Sequence, residues 1–358
     1  MKLNPSYHNV HSDFKLNGVH YNYNEFQEVG YDLIKEGKQF EISIGNFLLE
    51  WVNDEPVLEV QTSGSTGEPK RILLKKEHML NSAVATGAFF GLKNGDKALL
   101  CLPCSGIAGK MMLVRAMVLG MNLNYVEPSS NPLYSDSNSY DFVAMTPFQV
   151  EKSLGQLSQI QTLIVGGAPV SVSLKEKLKN ASSIIFETYG MTETITHIAA
   201  RRLSNPVEDA FQVLPGVSVS KDERDCLVIE APKISDTKVV TNDIVELIDE
   251  KAFKWLGRFD SIINSGGIKL MPEKIEEKLS KVIHSRFFIA GIPDEALGQK
   301  LVLLVEDLEA SIEVLMKRIK NIDDLDKYEA PKEIFLLEAF EETKTGKIHR
   351  EKTLSQIR

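Results

Sequence analysis

Ile184-Ile-Phe-Glu-Thr-Tyr-Gly-Met-Thr-Glu-Thr194 changes texture halfway along. Ile184–Thr188 is a short, largely apolar run and reads as a buried strand. Tyr189-Gly-Met-Thr-Glu-Thr194 follows with a flat ring, a glycine, hydroxyls and one carboxylate. Parallel sheets bind ligands at the carboxyl ends of their strands, so a site is expected here. Tyr189 offers a face for a base and Gly190 gives clearance. Thr192 supplies a donor, and Glu193 an oxygen ligand for Mg2+.

Upstream, Gln161–Val165 is a second apolar strand, and it ends in Gly166-Gly167-Ala168-Pro169. Strand patterns at Lys97–Leu102, Asn122–Val126 and Phe142–Met145 alternate with helix patterns at Glu77–Leu92, Ile107–Leu119, Pro147–Leu157 and Ser173–Leu178. Such alternation predicts a parallel sheet with helices on both faces. Nearer the start, Asn24–Lys38 reads as an amphipathic helix, and Phe47–Val52 as a strand or a helix end. After Leu203 the texture becomes short strands split by turns: Val217–Ser220, Cys226–Glu230, Lys238–Val240, Val245–Ile248 and Phe253–Leu256. This is an antiparallel β region. From Asp260 strands alternate with helices again. The expected fold class is α/β. Residues 1–258 form a large domain with a parallel, helix-flanked sheet plus a small β region, and residues 259–358 a small α+β domain.

Composition narrows the classes. The chain has 358 residues, 43% of them hydrophobic and 25% charged, as in a globular protein with a real core. Lysine and arginine number 41 against 50 aspartates and glutamates, a net charge of −9. No general affinity for nucleic acid or anionic membrane is implied. Three cysteines, Cys101, Cys104 and Cys226, cannot staple a chain this long, and a reducing, cytoplasmic setting is expected. Cys101 and Cys104 have redox-motif spacing, but they read more simply as half-buried thiols at a strand end. No secretory signal and no membrane span are read.

Other motifs carry chemistry. Thr62-Ser63-Gly64-Ser65-Thr66-Gly67-Glu-Pro-Lys70 lies between two strand candidates, Pro56–Gln61 and Arg71–Lys75. Its glycines let backbone N–H groups approach an anion, its hydroxyls donate, and its lysine brings positive charge. That is a phosphate cradle, though not a Walker A loop. Leu256-Gly-Arg-Phe-Asp-Ser-Ile-Ile-Asn-Ser-Gly-Gly-Ile-Lys269 spans the domain boundary, and Thr343-Lys-Thr-Gly-Lys-Ile-His-Arg350 lies near the end. Singly each motif is weak, and a solvated turn is the plain alternative.

In this order and spacing, from about Thr62 to Arg350, these motifs resemble the adenylate-forming superfamily of acyl-CoA synthetases, adenylation domains and luciferases. The resemblance implies an acid–thiol ligase using ATP, Mg2+ and coenzyme A. It implies that Thr62–Lys70 holds the β- and γ-phosphates and that Gly167, Ala168 and Pro169 lie along the adenine. Tyr189, within Tyr189-Gly190-Met191, stacks on that base, Thr192 bonds the α-phosphate and Glu193 ligates Mg2+. Thr241-Asn-Asp243 resembles the superfamily's Thr-Gly-Asp, with Asp243 on the ribose, which Arg258 also reaches. Asn242 departs from that glycine, and asparagine tolerates positive φ better than most residues. Asp260 resembles the hinge of a mobile C-terminal domain. Gly266, Gly267 and Lys269 belong to the loop that faces the acyl carbon when CoA attacks, and Lys347 to the catalytic lysine of adenylation. The phosphate loop comes early, so the leading subdomain is cut down.

The acid is argued separately. The compact form is similar to the short o-succinylbenzoate–CoA ligases of menaquinone synthesis, and Ser105-Gly106 followed by Arg115 is similar to their acyl-pocket helix. Cys104 stands where the family has an aromatic or histidine gate. A diacid brings one spectator carboxylate, which needs a buried cation or several donors. Lys110 and Arg115 are the candidates. They are five residues apart and so not on one stripe of the helix. Either one faces the pocket and the other solvent, or both are surface cations. Ligases for another aryl or acyl acid, or for a carrier protein, stay open. A non-catalytic nucleotide binder has no use for Glu193 and Lys347.

Overall fold

The computed structural model describes residues 6–61, 71–342 and 348–357. The chain divides into two compact units. One comprises 1–220, 228–239 and 248–253, the other 221–227, 240–247 and 254–358.

In the first unit strands β1 (Lys15–Leu16) and β2 (Val19–His20) form a short antiparallel pair. Helices α1 (Phe26–Lys35) and α2 (Ile42–Val52) follow. The second settles the ambiguous Phe47–Val52 segment as helix. Its buried Ile44, Phe47, Leu48 and Trp51 fall at i, i+3, i+4 and i+7, with Ser43, Asn46 and Glu50 on the other side, a period that the six residues Phe47–Val52 are too few to show. The two helices meet at glycines: a Cβ on Gly45 would lie 2.5 Å from the carbonyl oxygen of Gly30. Strands β3 (Val57–Gln61) and β4 (Arg71–Lys75) pair antiparallel, with Gln61 opposite Arg71.

Helix α3 (Lys76–Phe90) ends on left-handed Gly91, and α4 (Ile107–Leu119) on left-handed Gly120. Between and after them run β5 (Lys97–Leu100), β6 (Asn122–Tyr125), β7 (Tyr140–Met145), β8 (Ile160–Val165) and β9 (Ile184–Gly190). The order across the sheet is β1-β6-β5-β7-β8-β9, and every neighbouring pair is parallel. The parallel sheet expected from the alternating pattern is therefore present. Short helices α5 (Pro147–Lys152) and α6 (Val172–Leu178) connect the later strands. Leu99, Val143, Leu163 and Ile185 from neighbouring strands are fully buried in one core with Val150 and Leu174 of these helices.

From β5 the chain goes to β6 on one side and then to β7 on the other. That reversal makes β5 and β7 the switch point where ligands enter open α/β sheets. Strands β10 (His197–Arg202) and β11 (Phe211–Val213) extend the sheet antiparallel past β9.

Strands β12 (Ser218–Lys221), β13 (Cys226–Glu230), β14 (Val239–Asp249) and β15 (Ala252–Arg258) are divided between the units. The expected strands Lys238–Val240 and Val245–Ile248 are one long strand.

The second unit closes its own core. Strands β16 (Ile263–Ser265), β17 (Ile268–Leu270), β18 (Phe287–Asp294), β19 (Gly298–Glu306) and β20 (Glu333–Leu337) form its sheet. Leu301, Leu303 and Val305 of β19 face helices α7 (Pro272–Leu279) and α8 (Ile312–Lys320) through Ile275, Leu279 and Ile319. Val302 and Leu304 face the other side with Phe288 and Phe340. This is the two-residue alternation of a strand covered on both faces. Helix α9 (Arg350–Ser355) completes the described chain.

Candidate functional site

Parallel strands put their carboxyl ends on one edge, and there the first unit gathers much of what the sequence singled out. Cys101–Gly106 leaves β5, Gly166–Pro169 leaves β8, and Met191–Thr194 leaves β9.

The strand β9 is longer than its apolar run. Tyr189 and Gly190 are its last two residues and pair with Ala199 and His197 of β10, where the register shifts in a bulge. Tyr189 is half-buried, its ring 5.2 Å from Phe253 and 5.8 Å from Phe211. These two rings stack on each other at 5.5 Å, and the Arg201 guanidinium lies over Phe211 at 4.5 Å. The Tyr189 ring is thus held by an aromatic bed, as a platform for a base requires.

After Gly190 the chain turns sharply. The Thr194 hydroxyl accepts from the Met191 N–H at 3.2 Å and lies 3.0 Å from the Met191 carbonyl and 2.9 Å from that of Thr196, to one of which it donates. The Thr196 N–H donates to the Thr194 carbonyl at 2.7 Å around Ile195, which has φ 66° and ψ −66°. That is a γ-turn with positive φ at a buried β-branched residue, a strained arrangement. Gly190 is required beside it, because a Cβ there would lie 2.2 Å from the Thr196 carbonyl oxygen. Thr192 is half-buried within the turn. The Glu193 side chain is exposed and has no ion pair or hydrogen bond with any described residue.

Gly167 has φ 83° and is exposed, as is Pro169, with Ala168 between them half-buried. Glu187, on β9, fixes this loop. Its carboxylate takes Arg201 Nε at 2.9 Å, Arg201 NH2 at 2.7 Å and Lys175 Nζ at 3.5 Å, and also the Val170 N–H at 3.4 Å. Glu187 belongs to no motif of the sequence. A carboxylate in the middle of an apolar strand was the available signal.

Helix α4 separates the two cations. Lys110 is buried and donates to Glu50 of α2 at 2.5 Å, with its Nζ 5.1 Å from the Phe47 ring centre. Arg115 is 2% exposed. Its NH2 donates to Thr196 Oγ1 at 3.2 Å and lies 3.5 Å from His197 Nδ1, and its NH1 reaches Met112 Sδ at 3.7 Å. Among the described residues its Nε–H has no partner, and no carboxylate pairs with it. Burial pushes its pKa down to about 10. Neither residue is the surface cation that a plain amphipathic helix would carry. Ser105 is exposed before the helix, and Gly106 is its N-cap. Cys101 and Cys104 are free and buried, and burial pushes both thiols up to about 12. Thiolate is scarce at such values, which removes the redox reading.

In the second unit, Asp243, Arg258 and Asp260 come together. Asp243 is buried, and accepts from the Trp255 indole N–H at 3.1 Å, with Arg258 NH1 4.0 Å away. Arg258 forks onto Asp260 at 2.9 and 2.5 Å, which holds the Asp260 carboxyl below its ordinary range. Asn242 lies within β14 without positive φ, so the allowance made for asparagine there is not needed. Its Oδ1 instead accepts from Arg224 at 2.9 Å. Gly266 and Gly267, with φ 57° and 82°, link β16 to β17, where Ser265 pairs with Ile268. Two positive-φ residues between paired strands are the mark of a type I′ hairpin. Lys269 is exposed beside it.

Thr62–Lys70 and Lys347 lie outside the described residues. Among the described residues no group of three or more His, Cys, Asp or Glu could hold a metal alone. A Mg2+ ion arriving with phosphates needs only one or two carboxylates, and Glu193 fits that demand. No described helix is long and apolar enough to cross a membrane.

Comparison with known proteins bears on the family. The profile of AMP-binding enzymes matches residues 49–223. A 2-succinylbenzoate–CoA ligase of Listeria monocytogenes serotype 4b (strain F2365) is 25% identical over 333 residues, covering 85% of this chain and 71% of that one. The crystal structure of an acyl-CoA synthetase (AMP-forming)/AMP-acid ligase II-like protein from Dyadobacter fermentans DSM 18053 is 35% identical with a TM-score of 0.62, covering 93% of this chain and 98% of that one. The O-succinylbenzoate coenzyme A synthetase of Bacillus subtilis, solved with ATP and magnesium ion, shares the fold at 21% identity with a TM-score of 0.71, covering 83% of this chain and 69% of that one. With a relative 35% identical over nearly the whole of both chains, the chain belongs to the AMP-binding enzyme family, the adenylate-forming superfamily that its motifs resemble.

Proposed function

We propose that this protein is an AMP-forming acid–CoA ligase whose acid is a dicarboxylate, o-succinylbenzoate, joined to CoA with ATP as the activating substrate. The observation that carries the choice of acid is Arg115: a cation 2% exposed, whose Nε–H no described residue accepts and which no described carboxylate pairs with. A buried charge without a counter-charge is costly, and an acid with a spectator carboxylate supplies one. Lys110 already has Glu50. The names of relatives at about a quarter identity support the same acid.

In this reading Tyr189 carries the base against its aromatic bed, and Gly167–Pro169 lines its edge. Asp243 takes ribose hydroxyls, with Arg258 beside it. Thr192 donates to the α-phosphate, and Thr62–Lys70 cradles the departing pyrophosphate. Glu193 holds Mg2+, which supplies charge neutralisation where one anion approaches another. Lys347 pairs the attacking carboxylate with an α-phosphate oxygen. Residues 259–358 then turn about Asp260, withdraw Lys347 and present Gly266, Gly267 and Lys269 for the thiol step.

The test is pyrophosphate release over a panel of acids, followed by CoA-dependent AMP release. o-Succinylbenzoate is the expected best substrate, and Arg115→Leu raises its KM at least tenfold. 4-Oxo-4-phenylbutanoate, the same skeleton without the ring carboxylate, is little affected by that change. A monoacid preferred by the wild type, with Arg115→Leu indifferent to the diacid, overturns the choice of acid.

A further inference from the structure

Arg115 does not hold its position alone. We propose that His197 is the positioning residue of the acid site: its imidazole, as the Nε2–H tautomer, accepts from the Arg115 guanidinium and aims it. This rests on the reading of Arg115 given above.

The protons can be placed one by one. A guanidinium has donors only, so the ring nitrogen facing it must be an acceptor. That nitrogen is Nδ1, 3.5 Å from Arg115 NH2. A neutral ring then carries its hydrogen on Nε2, which faces Thr86 Oγ1 at 3.3 Å. The Thr86 hydroxyl gives its own proton to the Ser82 carbonyl at 2.9 Å, leaving a lone pair for the ring. The chain runs one way: Arg115 to His197, His197 to Thr86, Thr86 to the backbone of α3. A second proton on the ring would set N–H against N–H and cation against cation in a buried space. Burial, and then the charge of Arg115, hold the His197 pKa well below the ordinary histidine range.

The effect on the guanidinium is specific. NH2 has two hydrogens, and Thr196 and His197 take one each. The plane of the fork is thereby fixed, and Nε–H is left over as a buried donor with no described partner. A planar fork fixed at one nitrogen presents its remaining donors in one geometry, which suits a planar carboxylate. The ring also packs edge-on to Phe90 at 6.0 Å, so its own rotation is limited.

Two measurements on the full chain test the proposal. Imidazole 15N shifts of the free protein should show His197 as the Nε2–H tautomer; a Nδ1–H tautomer or a charged ring at neutral pH overturns it, whatever the acid proves to be. Kinetics give the second. Asparagine places Oδ1 near the position of Nδ1 and keeps the acceptor, whereas leucine and glutamine do not. His197→Leu and His197→Gln should raise KM for o-succinylbenzoate about tenfold relative to 4-oxo-4-phenylbutanoate, with kcat changed less. His197→Asn should restore KM to within about threefold of wild type. Equal behaviour of the asparagine and glutamine variants overturns the positioning role even if the leucine variant fails to fold. If Arg115→Leu raises KM for the diacid while no His197 variant does, only the positioning proposal is lost. If Arg115→Leu leaves it unchanged, the reading of the acid site fails first.

Discussion

Two residues assigned from pattern can be tested by removing one charge each. Glu193→Gln keeps the shape of an exposed side chain and removes its negative charge. The variant should need more Mg2+ for pyrophosphate release, and an unchanged Mg2+ titration would show that the ligand is elsewhere. Lys347→Ala should slow acyl-adenylate formation about a hundredfold or more, the scale of one lost charge-stabilising donor. Thioester formation from pre-made acyl-adenylate should be nearly spared, and equal loss in both half-reactions would refute the assignment. What residue patterns left open was the environment of Arg115. Thr196 and His197 lie 81 and 82 positions away in sequence, and only the turn after β9 carries them to α4. Nothing local in Ile107–Leu119 says which of its two cations has a carboxylate partner.

At the scale of elements, the turn Met191–Thr196 is the part most exposed to a single change. Thr194→Val keeps the volume and removes the hydroxyl, leaving the Met191 N–H without its acceptor. A loss of about 1–3 kcal/mol is expected, read as a fall of several degrees in Tm. Thr194→Ser should recover most of it. Valine melting like threonine would mean that the hydroxyl does not hold the turn. Gly190→Ala should be worse, since its Cβ meets backbone rather than a movable side chain. Strands β5, β7, β8 and β9 were legible because each is a largely apolar run bounded by turn residues, whereas β1, only two residues long, carries no such signal. β10 and β11 were not legible either. His197–Ala200 is buried throughout and Arg201 and Arg202 are half-buried, so neither alternation nor a uniform apolar run marks β10. β11 is only three residues long. Helix α2 shows its period only over its full length, from Ile44 to Trp51, and the segment Phe47–Val52 is too short to carry it.

At the scale of the molecule the proposal stands or falls on the segment about Asp260. Phe259–Ser261 is a single 3-10 turn, and Asp260 is tied to Arg258. Proline fixes φ near −65°, a value such a turn accepts. Asp260→Pro should therefore separate the half-reactions, sparing one and abolishing the other. Asp260→Ala, which loses the Arg258 pair without fixing φ, should keep both. If a folded proline variant runs both steps at wild-type rates, the hinge is misplaced. The indole bond to Asp243 has an optical consequence as well. The chain has two tryptophans, Trp51 in the first unit and Trp255 in the second. Trp51 is 1% exposed beside Phe47, whereas Trp255 is half-buried with its N–H on the proposed ribose carboxylate. Intrinsic fluorescence then carries one emitter per unit. Denaturant titration of Trp255→Phe follows the first unit and that of Trp51→Phe the second. In the latter variant, quenching or a wavelength shift on adding AMP reports directly on Asp243.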